Sequence, residues 1–326
     1  MTAGTRRRRR GGGEQQLVPE AEFGSYYGRP VVSETVWGAD IPSYLFLGGL
    51  AGASSALAAS ADLTGHGELA CAAKTGAAGA ISLSLVALVH DLGRPARFIN
   101  MLRVFKVTSP MSVGTWIVSG YAPMALTAAA SAVARKLPRA GLAATVGAAV
   151  LGPAVASYTA VLLGDTATPV WHQAHRELPF VFIGSAAMAA GGLGMLAVRP
   201  ERSGQAARLA VLGGTAETIA RILMMRRLGD EAAPYRQGRA GQLMDAAEML
   251  LAAGLAGAAL AGRSRIVAPI AGVALMAASA VTRFGIFEAG RASARDPKYT
   301  VGPQRERLQK GVDGAAGGTA RPPDRS

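Results

Sequence analysis

The chain has 326 residues, of which half are hydrophobic and only 17% are charged. This balance is typical of a membrane protein and argues against a soluble one. The net charge of +13 does not indicate nucleic-acid binding, because the basic residues lie in the tails and between apolar runs, where lipid headgroups attract them. The single cysteine, Cys71, excludes a disulfide within the chain and an iron–sulfur cluster held by this chain alone.

Residues 1–36 are a basic, glycine-rich N-terminal tail with five arginines at positions 6–10. No apolar segment lies within reach of these arginines, so the tail does not read as a cleaved secretory or twin-arginine signal. We interpret it as a solvated segment drawn to anionic lipid. The predicted organisation is this tail, a membrane domain at residues 37–290 and a polar C-terminal tail at residues 291–326.

About eight apolar segments follow, each near the roughly 20 residues that cross a bilayer. They cover residues 41–63, 69–89, 111–133, 140–164, 178–198, 205–225, 242–261 and 266–287. The sixth and seventh are the least apolar. Long connections follow the second, fourth and sixth spans, so both tails lie on the same side of the membrane as these connections. We call this side the loop face. The prediction is an all-α, polytopic membrane helix bundle, packed tightly through its many glycines.

The connection between the second and third spans predicts a short helix on the membrane surface. On a helical wheel, one side carries Phe98, Ile99, Met101, Leu102 and Phe105, and the other carries Arg97, Asn100 and Arg103. Pro95 suits the first turn, and Ser109-Pro110 ends the helix before the next span. The alternative is a positively charged loop that only fixes the topology.

Residues 90–116, HDLGRPARFINMLRVFKVTSPMSVGTW, resemble the signature segment of the NrfD/PsrC family. This family comprises the quinone-reactive membrane subunits of polysulfide reductase, nitrite reductase and related molybdenum or iron–sulfur oxidoreductases. Residues 41–52, IPSYLFLGGLAG, are similar to the family's first span, and residues 158–171, YTAVLLGDTATPVW, to the end of its fourth. The resemblance covers the front half of the chain and fades behind about Pro179.

The resemblance implies a subunit of a bacterial plasma-membrane complex that binds menaquinone or another quinone. It also implies an iron–sulfur partner subunit on the loop face, connected to a molybdopterin or other catalytic subunit. The docking surface is predicted at residues 91–110, 165–179 and 226–239, with four cations in the first segment: Arg94, Arg97, Arg103 and Lys106. In the family, the position of Tyr158 contributes to the quinone site, and acids at the positions of Asp91 and Glu217 are implicated.

Charged side chains inside spans are costly and usually mark function. Here most polar groups of the spans fall in the half nearest the loop face: Tyr44, His90, Asp91, Tyr158, Glu217, Arg221, Asp245, Glu248, Arg283 and Glu288. The exception, Lys74, is expected to extend toward the opposite surface. This one-sided placement favours a headgroup pocket over a transmembrane conduit. The structural alternative is that Glu217 and Arg221 form an intrahelical ion pair and that Asp245 and Glu248 stabilise a helix N-terminus.

Quinone chemistry moves two protons with two electrons, so a site needs hydrogen-bond partners for both ring oxygens and a titratable group that reaches water. Tyr44, His90 and Tyr158 are the candidates for binding the ring oxygens. Asp91 and Glu217 are the candidates for carrying protons. For His90 the alternative is a simple helix C-cap.

Two other classes of membrane protein are alternatives. A haem-containing anchor requires about four histidines within spans, whereas His66, His172 and His175 fall in loops and His90 at a span edge. No haem is therefore expected, and His172 and His175 are interpreted as interfacial side chains beside Trp171. A transporter or ion-translocating protein is the alternative from a different class, since it too uses glycine-rich spans with paired charges. No internal repeat supports it.

Overall fold

The computed structural model describes residues 31–33, 35, 37–94, 96–260, 262 and 264–301, and the regular structure in these ranges is entirely helical. Eight helices have 20 or more residues: α1 (Asp40–Leu63), α2 (Gly67–Asp91), α4 (Pro110–Ala134), α5 (Pro138–Gly164), α7 (Leu178–Ala197), α8 (Gly204–Leu228), α10 (Gly238–Leu260) and α11 (Val267–Arg295). Three short α-helices lie on the loop face: α3 (Ala96–Met101), α6 (Pro169–Gln173) and α9 (Ala233–Arg236). The predicted features of the N-terminal tail, of Pro95 and of the chain after residue 301 lie outside the described residues.

The predicted all-α, polytopic bundle is confirmed. Within the described ranges, seven helices are long and apolar enough to cross a membrane, and α8 is the long helix that fails on composition. The reason is its charge, since α8 carries five ionisable side chains: Arg208, Glu217, Arg221, Arg226 and Arg227. Most predicted boundaries agree closely, but α11 continues beyond residue 287 to Arg295. Its charged residues therefore lie deeper in the helix than the sequence indicated.

Close approach of glycine residues holds the long helices together, as expected for packing in lipid. At the crossing of α1 and α5, a Cβ on Gly52 would overlap the backbone of Gly152, and the reverse also holds. Gly184 of α7 and Gly213 of α8 face each other's helix backbone in the same way. Helix α1 contacts α2, α5, α7 and α11. It therefore connects the front half of the bundle, α1 to α5, to the back half, α7 to α11.

The short surface helix predicted between the second and third spans is confirmed as α3, and none of its residues is buried. It ends at Met101, so the prediction that Phe105 belongs to its apolar face is wrong. Phe105 instead packs edge-on against Trp116 of α4, with ring centroids 6.1 Å apart. The Ser109 hydroxyl accepts a hydrogen bond from the Ser112 N–H and Pro110 occupies the first turn, which fixes the start of α4.

Candidate functional site

At the loop-face ends of α1 and α2, His90 pairs with an acid that sequence reasoning did not single out. His90 Nδ1 lies 2.9 Å from Asp40 Oδ2, and the histidine side chain is 78% exposed. Asp91 is half-buried beside this pair and interacts electrostatically with both Asp40 and His90. These three side chains form a titratable group in contact with water, which is the property that proton exchange requires.

Tyr158 lies in a groove between α4 and α5. Its ring packs against Gly114 of α4 so closely that a Cβ on Gly114 would overlap it. The groove has a volume of about 330 Å³ and is lined chiefly by apolar side chains, with Thr108 and Asp165 among its polar members. The Tyr158 hydroxyl has no hydrogen-bond partner in the part of the chain that the structure describes. A mainly apolar groove that contains the Tyr158 hydroxyl fits a ring with polar oxygens and a hydrocarbon tail.

Tyr44 lies inside the bundle, in the second turn of α1, and is buried. Its backbone carbonyl accepts a hydrogen bond of 3.2 Å from the Ser84 hydroxyl of α2. Tyr44 and Tyr158 belong to the same hydrophobic core, but Tyr44 does not line the groove in which Tyr158 lies. Tyr44 therefore lies deeper in the bundle than His90 and Asp91, which are at the end of α2.

Glu217 lies in a buried polar cluster between α7, α8 and α11. Thr282 Oγ1 donates to Glu217 Oε1 at 3.1 Å, and Arg283 and Arg221 are the cations that act on the carboxylate. Arg283 is only 1% exposed. Its Nη2 donates to the Phe182 carbonyl at 2.8 Å and its guanidinium lies 3.8 Å from the Phe182 ring centroid.

Hydrogen-bonding capacity in this cluster is only partly used. Glu217 Oε2 and the Nε and Nη1 atoms of Arg283 are buried and have no partner among the described residues. Buried polar atoms of this kind are normally satisfied, often by water. We infer that the cluster is built around opposite charges with room for polar contacts that the protein itself does not supply.

The alternative interpretation, an intrahelical ion pair between Glu217 and Arg221, differs from what the structure shows. Arg221 Nη1 instead lies 2.7 Å from Glu248 Oε1 of α10, because Glu217 faces α7 and α11. The alternative that Asp245 and Glu248 stabilise a helix N-terminus also disagrees with the structure. Helix α10 begins at Gly238, so both acids lie beyond its first turn, where the partial charge of a helix N-terminus has faded.

The part of the bundle farthest from the loop face contains polar contacts that sequence reasoning missed. Lys74 does not simply extend to the surface: its Nζ lies 2.6 Å from Asp62 Oδ2 at the end of α1. Deeper in the bundle, the Tyr121 hydroxyl and the Ser55 hydroxyl are hydrogen-bonded at 2.7 Å and buried. The polar groups of the spans are therefore concentrated near the loop face but not confined to it.

The four predicted docking cations are all exposed on the loop face: Arg94, Arg97, Arg103 and Lys106. Arg97 also donates to the Leu92 carbonyl at 2.9 Å, which closes the turn before α3. The other two predicted docking segments, residues 165–179 and 226–239, contact each other, since the Arg227 guanidinium donates to both oxygens of Glu177. These hydrogen bonds lower the pKa of the Glu177 carboxyl.

Trp171, which precedes His172 and His175 in the sequence, is a core residue. It is fully buried, its Nε1 donates to the Ile286 carbonyl at 2.8 Å, and its ring stacks on Trp37 at 6.3 Å. The neighbouring His172 and His175 rings lie 5.9 Å apart. Throughout the described residues, no group of three or more His, Cys, Asp or Glu side chains is arranged to hold a metal ion.

The five predicted site residues are thus distributed over several places. His90 and Asp91 join Asp40 at the loop face, Tyr158 lies in the groove between α4 and α5, and Tyr44 is in the core. Glu217 belongs to the buried cluster of the back half. Asp40 and Asp165 are additional acids, and both could have been found from their positions at the loop-face ends of predicted spans. The roles of all five residues remain predictions.

The fold and these sites define a multi-pass integral membrane protein with an amphipathic groove on one face. A family model described as polysulphide reductase, NrfD, matches residues 31–233, which is more than half of the chain. The chain belongs to the NrfD family, as residues 90–116 predicted, and the match continues well past Pro179. No curated protein matches. Membership implies a membrane subunit of a quinone-reactive oxidoreductase complex and argues against the transporter alternative.

Proposed function

We propose that this chain exchanges electrons between a membrane quinone, with menaquinone as the expected type, and an iron–sulfur subunit docked on the loop face. The observation that carries the proposal is the groove between α4 and α5, where the Tyr158 hydroxyl has no partner in the described chain and the walls are mainly apolar. The Tyr158 hydroxyl would donate to one ring oxygen, while the apolar walls would hold the start of the hydrocarbon tail.

Oxidation of a quinol releases two electrons and two protons, and the chain must accept the protons. At this end of the bundle, His90, Asp91 and Asp40 form a titratable group in contact with water, in which the Asp40 and His90 side chains are hydrogen-bonded. We assign proton exchange with water to Asp91 and His90, and a further proton-carrying role to the buried Glu217. Tyr44 would support the site from behind, within the core.

Two substitutions test this assignment in the purified complex. Tyr158→Phe removes the hydroxyl and Asp91→Asn removes the proton acceptor, so each is expected to lower turnover with a menaquinol analogue by about 100-fold, the lower end for loss of a general acid or base. The amount of assembled complex should not change, because Asp91 is half-buried and Phe keeps the ring that packs on Gly114. Unchanged turnover in both variants would remove these residues from the site.

The exposed cations of residues 91–110 supply the attraction for a partner, and we propose an iron–sulfur subunit linked to a molybdopterin-containing catalytic subunit. Charged surfaces of this kind act mainly on the rate of encounter and the choice of partner. Arg94→Ala should therefore weaken retention of the partner in a pull-down at low salt, and the difference from wild type should shrink at high salt, where the charge is screened. Arg139→Ala, an exposed arginine at the opposite membrane face, is the matched control. Equal retention in both variants would mean that the loop only fixes the topology.

A further inference from the structure

A second amphipathic cleft opens in the back half of the bundle, between α8 and α10, with α9 at its loop-face end. Its volume is about 650 Å³, twice that of the groove at Tyr158. Helix α10 packs closely along α11 but makes few contacts with α8. The cleft therefore lies along a gap between helices rather than at a loop.

The polar residues of the cleft are ordered by depth. Arg226 and Arg236 lie at the loop-face mouth, Asp245 lies below them, and the ion pair of Arg221 and Glu248 lies deeper, with Thr218 of α8 about one turn further from the mouth. Beyond this pair, toward the opposite face, the lining from α10 is apolar: Leu251, Ala252 and Leu255. A polar upper part above an apolar lower part matches a molecule with a polar head and a hydrocarbon tail.

The depth and exposure of the Glu248 carboxylate indicate that it contacts water or a bound polar group. It lies about 15 Å along α10 from the start of the helix at Gly238, at 1.5 Å per residue, which is near the middle of a membrane span. Its side chain is nevertheless 59% exposed, whereas its partner Arg221 is 10% exposed. An exposed carboxylate at this depth is costly against hydrocarbon, so such groups normally face a polar cavity or a bound group.

Tyr235 gives an independent indication of a ligand. This residue of α9 lines the cleft, is only slightly exposed, and its hydroxyl is buried without a hydrogen-bond partner in the described chain. A buried hydroxyl without a partner loses the hydrogen bonds it made with water. A ring oxygen reaching the wall of the cleft would restore one of them.

We propose that the cleft between α8 and α10 is a second quinol-binding site, an inference that rests on the proposed function. The head would meet donors from Tyr235 and Arg221 and an acceptor carboxylate from Glu248, which suits a group that carries both carbonyl and hydroxyl oxygens. A phospholipid phosphate suits the cleft less well. It would meet Arg226 and Arg236 only at the mouth, and Asp245 and Glu248 below them would repel it.

The test uses a photoactivatable naphthoquinone on the intact complex, with labelled peptides mapped by mass spectrometry. Wild-type protein should be labelled both on α5 near Tyr158 and on α9 or α10. The double variant Tyr235→Phe/Glu248→Gln should lose at least 10-fold of the label on α9 and α10 and keep the label on α5, which shows that the bundle is intact. Glu201→Gln, an exposed acid near the opposite face, should change neither.

The possible results separate the two proposals. Label on α5 alone in wild type overturns the second site and leaves the proposed function standing. Label on α9 or α10 alone supports the cleft and contradicts the assignment of the Tyr158 groove. Absence of label at both sites contradicts both proposals. A co-purifying phospholipid that is lost in Arg226→Ala, in protein whose cleft is not labelled, would identify the occupant as lipid and overturn the inference.

Discussion

The front and back halves of the bundle place their candidate proton-carrying residues in different surroundings. In the front half, His90 and Asp91 lie at a helix end, where His90 is largely exposed, and the interior is closed by glycine contacts such as Gly52 with Gly152. In the back half, Glu217 and Arg283 are enclosed between helices with part of their hydrogen-bonding capacity unused. Proton exchange with water therefore suits the front half, while the buried charges of the back half also bear on stability.

The largest expected effect comes from breaking the buried charges. Arg283→Leu removes the cation with the largest electrostatic effect on Glu217, and a buried charge left without compensation typically costs about 3–5 kcal/mol. We expect a large fall in folded protein and in the midpoint of thermal unfolding in detergent. The double variant Glu217→Leu/Arg283→Leu should recover a substantial part of the loss, because no uncompensated charge then remains.

Additive effects of the two substitutions on stability would contradict a coupling between Glu217 and Arg283. If the double variant is as unstable as the sum of Glu217→Leu and Arg283→Leu, the two side chains do not act as a pair. The same measurement on the exposed pair Asp40 and His90 of the front half should show little change in stability, because exposed ion pairs contribute little.

The smallest expected effect concerns the loop-face contact between Glu177 and Arg227. Hydrogen bonds from Arg227 lower the pKa of Glu177 in the folded protein. Its stabilisation is therefore fully present above the ordinary carboxyl pKa of about 4.3 and is lost as the pH falls through the lowered value. Glu177→Gln should reduce the unfolding midpoint slightly at pH 7 and not at pH 3. An equal reduction at both pH values would show that packing, not charge, makes the contact.

The fold was largely predictable because bilayer thickness fixes the length of each apolar segment. Even α8, whose composition fails the criterion for a span, was predicted as a helix at residues 205–225, close to its observed extent of Gly204–Leu228. The end of α11 was missed because its last residues, which include Glu288 and Arg291, look like the start of a tail. In the structure they simply continue the helix to Arg295.

The candidate sites were predictable only as residue types. Arg221 pairs with Glu248 and not with Glu217. This depends on how α8 is rotated about its axis, which a spacing of four residues in the sequence does not determine. The contact of Tyr158 with Gly114 joins two helices and depends on their crossing point. The burial of Trp171 depends on contacts between distant parts of the chain, since its ring packs against Trp37 and Phe287.

The most direct test of the central claim, that the Tyr158 groove binds the quinone, compares two glycines of α4. A Cβ on Gly114 would overlap the Tyr158 ring, whereas a Cβ on Gly120 meets only a Leu151 methyl at 3.5 Å, an ordinary contact. We predict that Gly114→Ala displaces the ring and lowers quinol turnover by at least 10-fold, while Gly120→Ala turns over normally and both variants assemble. Normal turnover in Gly114→Ala with the partner subunit bound would contradict the account.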